Sequence, residues 1–186
     1  MTAPVQSIAH SVFNQFSQQP FLKHVRSRLD QWHVPCVRRG YRPKRALTTL
    51  QQLNRISSPR VASAYLRTIC NGWQTGHRFQ QQVQCRFGCP YGEDRLHHYA
   101  VCPVAAAWYE DTAKLRRSPA DRACEFFLIL GRDSCMPECS LIPGRSRDEV
   151  LRDRGAALYA LYRCHHFARH RRFAGELGGA FSHFFP

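Results

Sequence analysis

The sequence has neither a long apolar run nor a recognisable export signal. Residues 1–22 carry no charged side chain but are rich in Gln, Ser, Asn and Thr, and the apolar run FFLIL at residues 126–130 is short. A membrane span needs about 20 apolar residues in succession. The N-terminal MTAPVQSIAH also lacks the basic start and apolar block of a secretory signal. We therefore expect an intracellular protein, in the nucleus or cytoplasm, with no membrane partner.

Paired catalytic acids are also missing. Two-metal polymerases hold their ions with carboxylates, commonly an adjacent Asp pair on a hairpin, and this sequence has no two consecutive aspartates. None of its three pairs of adjacent acids lies on a predicted hairpin; these pairs are Glu93–Asp94, Glu110–Asp111 and Asp148–Glu149. Glu110, Asp111 and Lys114 are predicted to form a solvated charged cluster on the surface of a helix, not a nuclease site. The protein is therefore predicted not to be an enzyme.

Negative charge is scarce. The chain has 27 Lys and Arg residues against 13 Asp and Glu, which gives a formal net charge of +14, and nearly all the basic residues are arginines. Residues 1–60 contain Asp30 as their single acid. This distribution favours a polyanionic partner such as RNA or DNA, since arginine binds phosphate through two parallel hydrogen bonds. A solvated basic surface is the alternative interpretation.

The densest basic segment lies near residue 40. Residues 34–44 contain two prolines and one glycine, so we predict an extended linker there. An extended cationic segment can follow a phosphate backbone and release counterions as it binds. The candidate nucleic-acid-binding residues of this basic arm are Arg38, Arg39, Arg42, Lys44 and Arg45. A solvated loop is the alternative.

Cysteine is abundant, with nine residues in the chain. An odd number cannot pair completely within one chain, and thiols stay reduced inside the cell. Clustered cysteines and histidines in such a protein are more often metal ligands than disulfides.

The clearest cluster is the segment QCRFGCPYGEDRLHHYAVCP at residues 84–103. Two thiols separated by three residues begin it, and a His and a Cys spaced by four, as on one helix face, end it. Four such donors satisfy a tetrahedral zinc ion. The predicted ligands are Cys85, Cys89, His98 and Cys102. His97 is the alternative to His98, and buried cysteines beside a surface His pair are the alternative to a metal site.

A second, looser group of thiols follows. Cys135 and Cys139 repeat the spacing of the first pair, and Cys124 and Cys164 lie on either side of them. Buried thiols beside helix-surface histidines are the simpler interpretation. A second zinc site is the alternative.

The apolar pattern predicts a mainly α-helical fold, with several short helices around one zinc knuckle (residues 85–102) and a long C-terminal helix. Ser57-Ser58-Pro59 predicts the start of one helix and Asn71-Gly72 its end, with Gly72 as the terminating residue. The longest predicted helix spans residues 147–173, and apolar residues recur along one face of it.

We expect three parts. These are a basic N-terminal helical segment with its linker at residues 1–60, a helical zinc-knuckle domain at 61–174 and a loose tail at 175–186.

Several short motifs around the knuckle carry a resemblance to a known family. The chain reads YLR at residues 65–67, NGW at 71–73, RFQ at 78–80, HYA at 98–100 and LYALYR at 158–163, and Thr75, Asp94, His165 and Arg169-His170 belong to the same series. Together with the cysteines, this series resembles the C-terminal zinc-binding region of reverse transcriptases from non-LTR retrotransposons, over residues 65–172. One departure is His97, since the residue before the ligand histidine is commonly acidic in that family.

The resemblance implies that Cys85, Cys89, His98 and Cys102 are the ligands, in agreement with their spacing. It also implies that the chain is a detached C-terminal fragment that binds nucleic acid or orders the end of a polymerase. We expect a non-catalytic zinc- and nucleic-acid-binding protein. A zinc-stabilised module that binds an acidic protein partner is the alternative.

Aromatic residues interleave with arginines around the knuckle. Trp73 is predicted to lie in the core, and a core position is also the commoner interpretation for Phe79. Phe87 and Tyr91 are left open between a core position and the stacking of bases.

Overall fold

The computed structural model describes residues 18–32, 44–113, 123, 126–127 and 144–170. Its α-helices are α1 (Gln18–Gln31), α2 (Lys44–Ile56), α3 (Pro59–Ile69), α4 (Leu96–Tyr99), α5 (Pro103–Ala113) and α6 (Arg147–His170), with a 3₁₀ turn at His77–Phe79. The predicted mainly helical class and the long C-terminal helix are confirmed. Within the described residues no β-strand forms, and Gln84 and Glu93 make an isolated antiparallel bridge.

The C-terminal end of the basic arm is helical. Lys44 and Arg45 form the first turn of α2, so the predicted extended conformation is wrong for these two residues. Proline fixes its own φ and disfavours helix in the residue before it, but it leaves the residues after it free to be helical. Arg38, Arg39 and Arg42 lie outside the described residues.

Helix α3 begins as the sequence predicts and ends differently. Ser58 precedes it in an extended conformation, and Pro59 occupies its first turn. At its end, Asn71 rather than Gly72 adopts the left-handed conformation, with φ of 54°. The Gly72 N–H donates to the Arg67 carbonyl and the Asn71 N–H to the Thr68 carbonyl. This is the Schellman arrangement, in which asparagine can replace the more usual glycine.

Helix α6 packs along α3, and α2 packs against both of them, while α1 covers α2 and α3. Gly155 of α6 lies directly against Leu53 of α2 and Val61 of α3. Leu151, Leu158 and Leu161 are buried, which confirms the apolar face predicted for α6. These contacts cross the predicted boundary between residues 60 and 61.

Trp73 lies at the centre of the core, which confirms the prediction. Its side chain is fully buried, and its indole N–H donates to Thr68 Oγ1 at 3.0 Å. Its ring packs against Tyr99 of α4 and against Tyr162 and His165 of α6. Trp73 therefore joins the end of α3 to both the knuckle and the C-terminal helix.

A buried carboxylate joins the same segments through hydrogen bonds. Asp94 Oδ2 accepts from the Gly76 N–H at 2.7 Å and from Arg86 Nε at 2.9 Å. Its Oδ1 accepts from the Tyr99 hydroxyl at 2.5 Å and lies 3.0 Å from His165 Nε2. Because a carboxylate can only accept, this histidine nitrogen carries the proton.

These bonds favour the ionised form of the carboxyl. Burial alone would raise the pKa of Asp94, but the hydrogen bonds from His165, Tyr99 and the Gly76 N–H lower it from 3.8 to about 2. Burial also raises the pKa of Tyr99, so its hydroxyl remains a donor to the carboxylate.

We predict that Asp94→Asn lowers the free energy of unfolding at pH 7 by about 3 kcal/mol, because it leaves Arg86 without its counter-charge and breaks a buried network. Urea unfolding measures this loss. The control is Asp30→Asn, whose carboxylate is exposed and pairs with Arg26 at 3.9 Å; it changes the free energy by less than about 0.5 kcal/mol. Equal effects of the two substitutions would contradict the role given to Asp94.

The wild type and Asp94→Asn also test the pH dependence of stability. A carboxyl whose pKa is lowered by folding stabilises the folded state fully above its unfolded pKa of about 3.9, and this stabilisation is lost as the pH falls toward 2. The difference in stability between the wild type and Asp94→Asn therefore shrinks between pH 4 and pH 2. A difference that is constant over this range would show that ionisation of Asp94 contributes nothing.

Candidate metal centre

The knuckle begins with a tight, hydrogen-bonded turn. The Cys85 N–H donates to the Gly92 carbonyl and the Asp94 N–H to the Val83 carbonyl, each at 2.8 Å. Within this loop the Gly88 N–H donates to the Cys85 carbonyl at 3.1 Å, and Gly88 has a φ of 77°, which glycine adopts without strain. The turn therefore holds Cys85 and Gly92 side by side.

The other two predicted ligands lie on separate elements. His98 belongs to α4, whereas Cys102 immediately precedes α5 and its carbonyl accepts the Ala106 N–H at 2.9 Å. Between them the chain turns, and the Val101 N–H donates to the His98 carbonyl. The prediction that one helix carries both residues is wrong. The turn, together with Pro103 at the start of α5, brings their side chains to the same place instead.

Cys85, His98 and Cys102 form the candidate metal centre. Their ligand atoms all lie within 4.8 Å of one another, and the two sulfur atoms are 3.8 Å apart. Two thiolates bound at about 2.3 Å to a tetrahedral zinc ion would themselves be about 3.8 Å apart. The spacing of the sulfurs therefore fits a shared zinc ion without rearrangement of the pair.

His98 is held in place and has an unsatisfied nitrogen. Its ring lies directly against the Cα of Gly92, where any added Cβ would overlap it. Its Nε2 is buried and has no hydrogen-bond partner among the described residues. A buried polar atom without a partner is costly, and a metal ion would satisfy it. His97, the alternative ligand, is exposed and does not belong to the three-residue group.

Hydrogen bonding makes the two clustered thiols unequal. The hydrogen bond with Cys102, aided by the backbone N–H groups of Phe87 and Cys89, lowers the pKa of Cys85 in spite of its burial. The same hydrogen bond and burial raise the pKa of Cys102 to about 12. Zinc binding would release the thiol protons of both residues, since zinc is bound by thiolates.

Cys89, the fourth predicted ligand, lies next to this group but is not part of it. Its side chain is buried, and its sulfur accepts the Tyr91 N–H at 3.4 Å. Its own backbone N–H donates a hydrogen bond to Cys85 and helps to lower the pKa of that thiol. Cys89 therefore shapes the turn around Cys85, and its ligation of zinc stays a prediction.

The second group of thiols is described only at Cys164. This thiol is buried in α6, and burial raises its pKa to about 12. His165 beside it bonds to Asp94. Cys124, Cys135 and Cys139 lie outside the described residues.

The surroundings of the centre contain residues that spacing does not single out. Gly92 and Asp94 lie in a short turn between the ligand pairs, and Asp94 is also one of the residues that carry the resemblance. Arg86 and Arg95 flank the ligands, but they pair with Asp94 and Glu93. Their charges are thus largely committed to carboxylates.

The two aromatic residues left open by the sequence have different positions. Phe87 is buried against Tyr99, with ring centroids 4.8 Å apart, so it is a core residue. Tyr91 is 86% exposed. It borders an open cavity of about 540 Å³ that His97, His98 and Val101 also line.

Comparison with known proteins does not assign the chain to a family. No family model, curated protein or solved structure matches it. Among the described residues, no helix is both long enough and apolar enough to cross a membrane.

We predict that Gly92→Ala weakens zinc binding at least tenfold, because the added methyl group displaces the ring of His98. Overpacking at such a contact also costs about 1–3 kcal/mol of stability. Competition with a chromogenic zinc chelator gives the affinity, and urea unfolding gives the stability.

Gly144→Ala is the matched control. Gly144 has a φ of 81°, so alanine there strains the backbone, but no atom of the described residues lies within 4 Å of the added Cβ. This substitution lowers stability slightly and leaves zinc affinity unchanged. An equal loss of zinc affinity in both variants would show that general destabilisation, not the contact with His98, is responsible.

Proposed function

We propose that the chain is a non-catalytic zinc-binding protein in which one zinc ion fixes the knuckle onto a helical bundle. The observation that carries this proposal is the convergence of Cys85, His98 and Cys102 within 4.8 Å. The centre lies next to Tyr99, which belongs to the core. Cys89, which precedes the exposed residues Pro90 and Tyr91, is the fourth ligand in this proposal. With it the site would have four protein ligands, as structural zinc sites do.

The partner in this proposal is nucleic acid. The net charge of +14 supports it, as does the small number of acidic residues in the N-terminal third. The basic arm would bind phosphates without reading bases, since contacts to phosphate position a protein but carry no sequence information. The origin that we infer is the C-terminal region of a non-LTR retrotransposon reverse transcriptase, on the motifs quoted above.

One observation favours the second candidate, a protein-interaction module. Tyr91 is 86% exposed and Val101 is 40% exposed, and both border the cavity next to His98. Exposed aromatic and apolar side chains at the rim of a depression are typical anchors of protein interfaces. In this alternative, zinc orders a docking surface and the basic arm contacts an acidic partner.

We predict about one zinc ion per chain in protein purified without added metal, measured by elemental analysis. His98→Ala and Cys85→Ser lose the metal, because each removes a member of the three-residue group. Cys89→Ser lowers the affinity if its thiolate is the fourth ligand. Chelation of the metal lowers the melting temperature, since zinc binds the folded state in preference to the unfolded chain.

His97→Ala and Cys70→Ser are the controls. His97 lies beside the ligand but outside the group, and Cys70 is a half-buried thiol at the end of α3. Both variants keep the metal. Protein that is fully folded and free of metal would overturn the zinc proposal.

We predict that the logarithm of nucleic-acid affinity falls with the logarithm of salt concentration at a slope of about −3 to −4, as expected for contact with about four phosphates. Replacement of all five residues of the basic arm by Gln reduces both affinity and slope. Fluorescence anisotropy with labelled oligonucleotides, across a salt series, measures both quantities.

A second quintuple variant matches the loss of charge. It replaces basic residues on the described helices by Gln, namely Lys23, Arg26, Arg55, Arg60 and Arg147. Equal affinities and slopes for the wild type and the arm variant would remove the arm from the interface. No binding by the wild type would overturn the nucleic-acid proposal and favour the protein-interaction module.

A further inference from the structure

We propose that a second basic surface, formed by Arg67, Arg78, Arg169 and Phe79, binds single-stranded nucleic acid by stacking one base on Phe79. We name it the α3–α6 arginine surface. The inference rests on the proposed nucleic-acid-binding function and assigns to it a site on the folded domain, separate from the basic arm.

Two helix ends create this surface. Helices α3 and α6 run in the same direction, because Val61 lies level with Gly155, and Arg67 lies 5.9 Å from the centre of the Tyr162 ring. The chain that leaves α3 passes the last turns of α6, where Arg169 donates to Gln74. The carbonyl ends of the two helices therefore lie near one another, and arginines gather there.

The three arginines are held by neutral groups. Arg78 donates to the Asn71 carbonyl at 3.3 Å, Arg169 donates to the Gln74 side chain, and Arg67 lies over the Tyr162 ring. Such contacts fix the direction of a guanidinium without neutralising its charge. Each therefore keeps donors available for phosphate.

The acidic residues of the described side chains have their partners elsewhere. The exposed pairs are Asp30 with Arg26, Glu93 with Arg95, Asp148 with Arg55 and Asp153 with Arg145. Glu149 bonds to Ser146, and Asp94 is buried. Among these described side chains, no carboxylate pairs with the arginines of the surface, so its positive potential is not cancelled locally.

Phe79 supplies the stacking platform. Its ring is 49% exposed, so the core position expected for Phe79 is wrong. The guanidinium of Arg169 lies over one face of the ring, 4.9 Å from its centre. A base would therefore stack on the other face of the ring, and every base has a face that can stack.

The arrangement fits an unpaired strand better than a duplex. A base can reach the ring of Phe79 only if it is unstacked from its neighbours, which single strands allow at little cost. Both Phe79 and Arg78 belong to one 3₁₀ turn, His77–Phe79.

The first test compares two triple variants of equal charge. Arg67→Gln, Arg78→Gln and Arg169→Gln are combined in one protein, and Lys23→Gln, Arg60→Gln and Arg147→Gln in the other. The probe is a fluorescein-labelled 12-nucleotide oligouridylate in an anisotropy titration. We expect the first variant to bind at least tenfold more weakly, with a salt slope shallower by about 2, and the second to lose no more than about threefold.

The second test isolates stacking from charge. A 12-nucleotide strand that carries 2-aminopurine reports a change of stacking as a change in fluorescence. Binding to the wild type changes the fluorescence, whereas binding to Phe79→Leu, which keeps an apolar side chain, does not, and this variant binds at least fivefold more weakly. Circular dichroism and zinc content confirm that each variant is folded.

Each outcome decides the inference. Equal losses in the two triple variants, or a fluorescence change with Phe79→Leu equal to that with the wild type, would overturn the surface while leaving the proposed function intact. Equal affinity for a duplex of the same length would overturn the preference for single strands. A wild type that binds no oligonucleotide would overturn the surface and the nucleic-acid proposal together.

Discussion

The fold depends on burying one carboxylate, Asp94, between segments that are far apart in the sequence. It accepts hydrogen bonds from Gly76, Arg86 and Tyr99 and from His165 of α6. A buried charge is tolerated only when its partners replace the lost water. The knuckle, the end of α3 and the C-terminal helix must therefore all be in place before the carboxylate is satisfied, so this interaction couples them into one cooperative unit.

The candidate metal centre is built on the same turn. Asp94 lies between the two ligand pairs, and Tyr99, which donates to it, follows His98 directly in α4. Gly92 is bonded to Cys85 on one side and packs on His98 on the other. A zinc ion bound by Cys85, His98 and Cys102 would fix the same loop that the hydrogen bonds of Asp94 fix. Metal binding and helix packing would then stabilise each other.

The sequence predicts the parts of this structure that depend on neighbours along the chain. The apolar stripe of α6 and the Pro59 helix start are local signals, and the structure has both; the ligand spacing is also local, and it brings three of the four donors together. Asp94 is different because its partners Gly76 and His165 are 18 and 71 residues away. No period or motif indicates such a pairing. The sequence also predicts a helix over residues 46–56, and the structure starts it two residues earlier, at Lys44, because a Pro–Gly-rich segment does not show at which residue a helix resumes.

The link between the two proposed sites also passes through Asp94. Its side chain accepts the Gly76 N–H, and its carbonyl accepts the His77 N–H at 3.2 Å. Both bonds hold the 3₁₀ turn that carries Arg78 and Phe79. If zinc orders the loop around Asp94, it also fixes the position of the stacking ring, although neither Arg78 nor Phe79 belongs to the metal centre. The zinc ion would then favour nucleic-acid binding without touching the strand. Because the turn is already ordered, the surface would lose less conformational entropy when a strand binds.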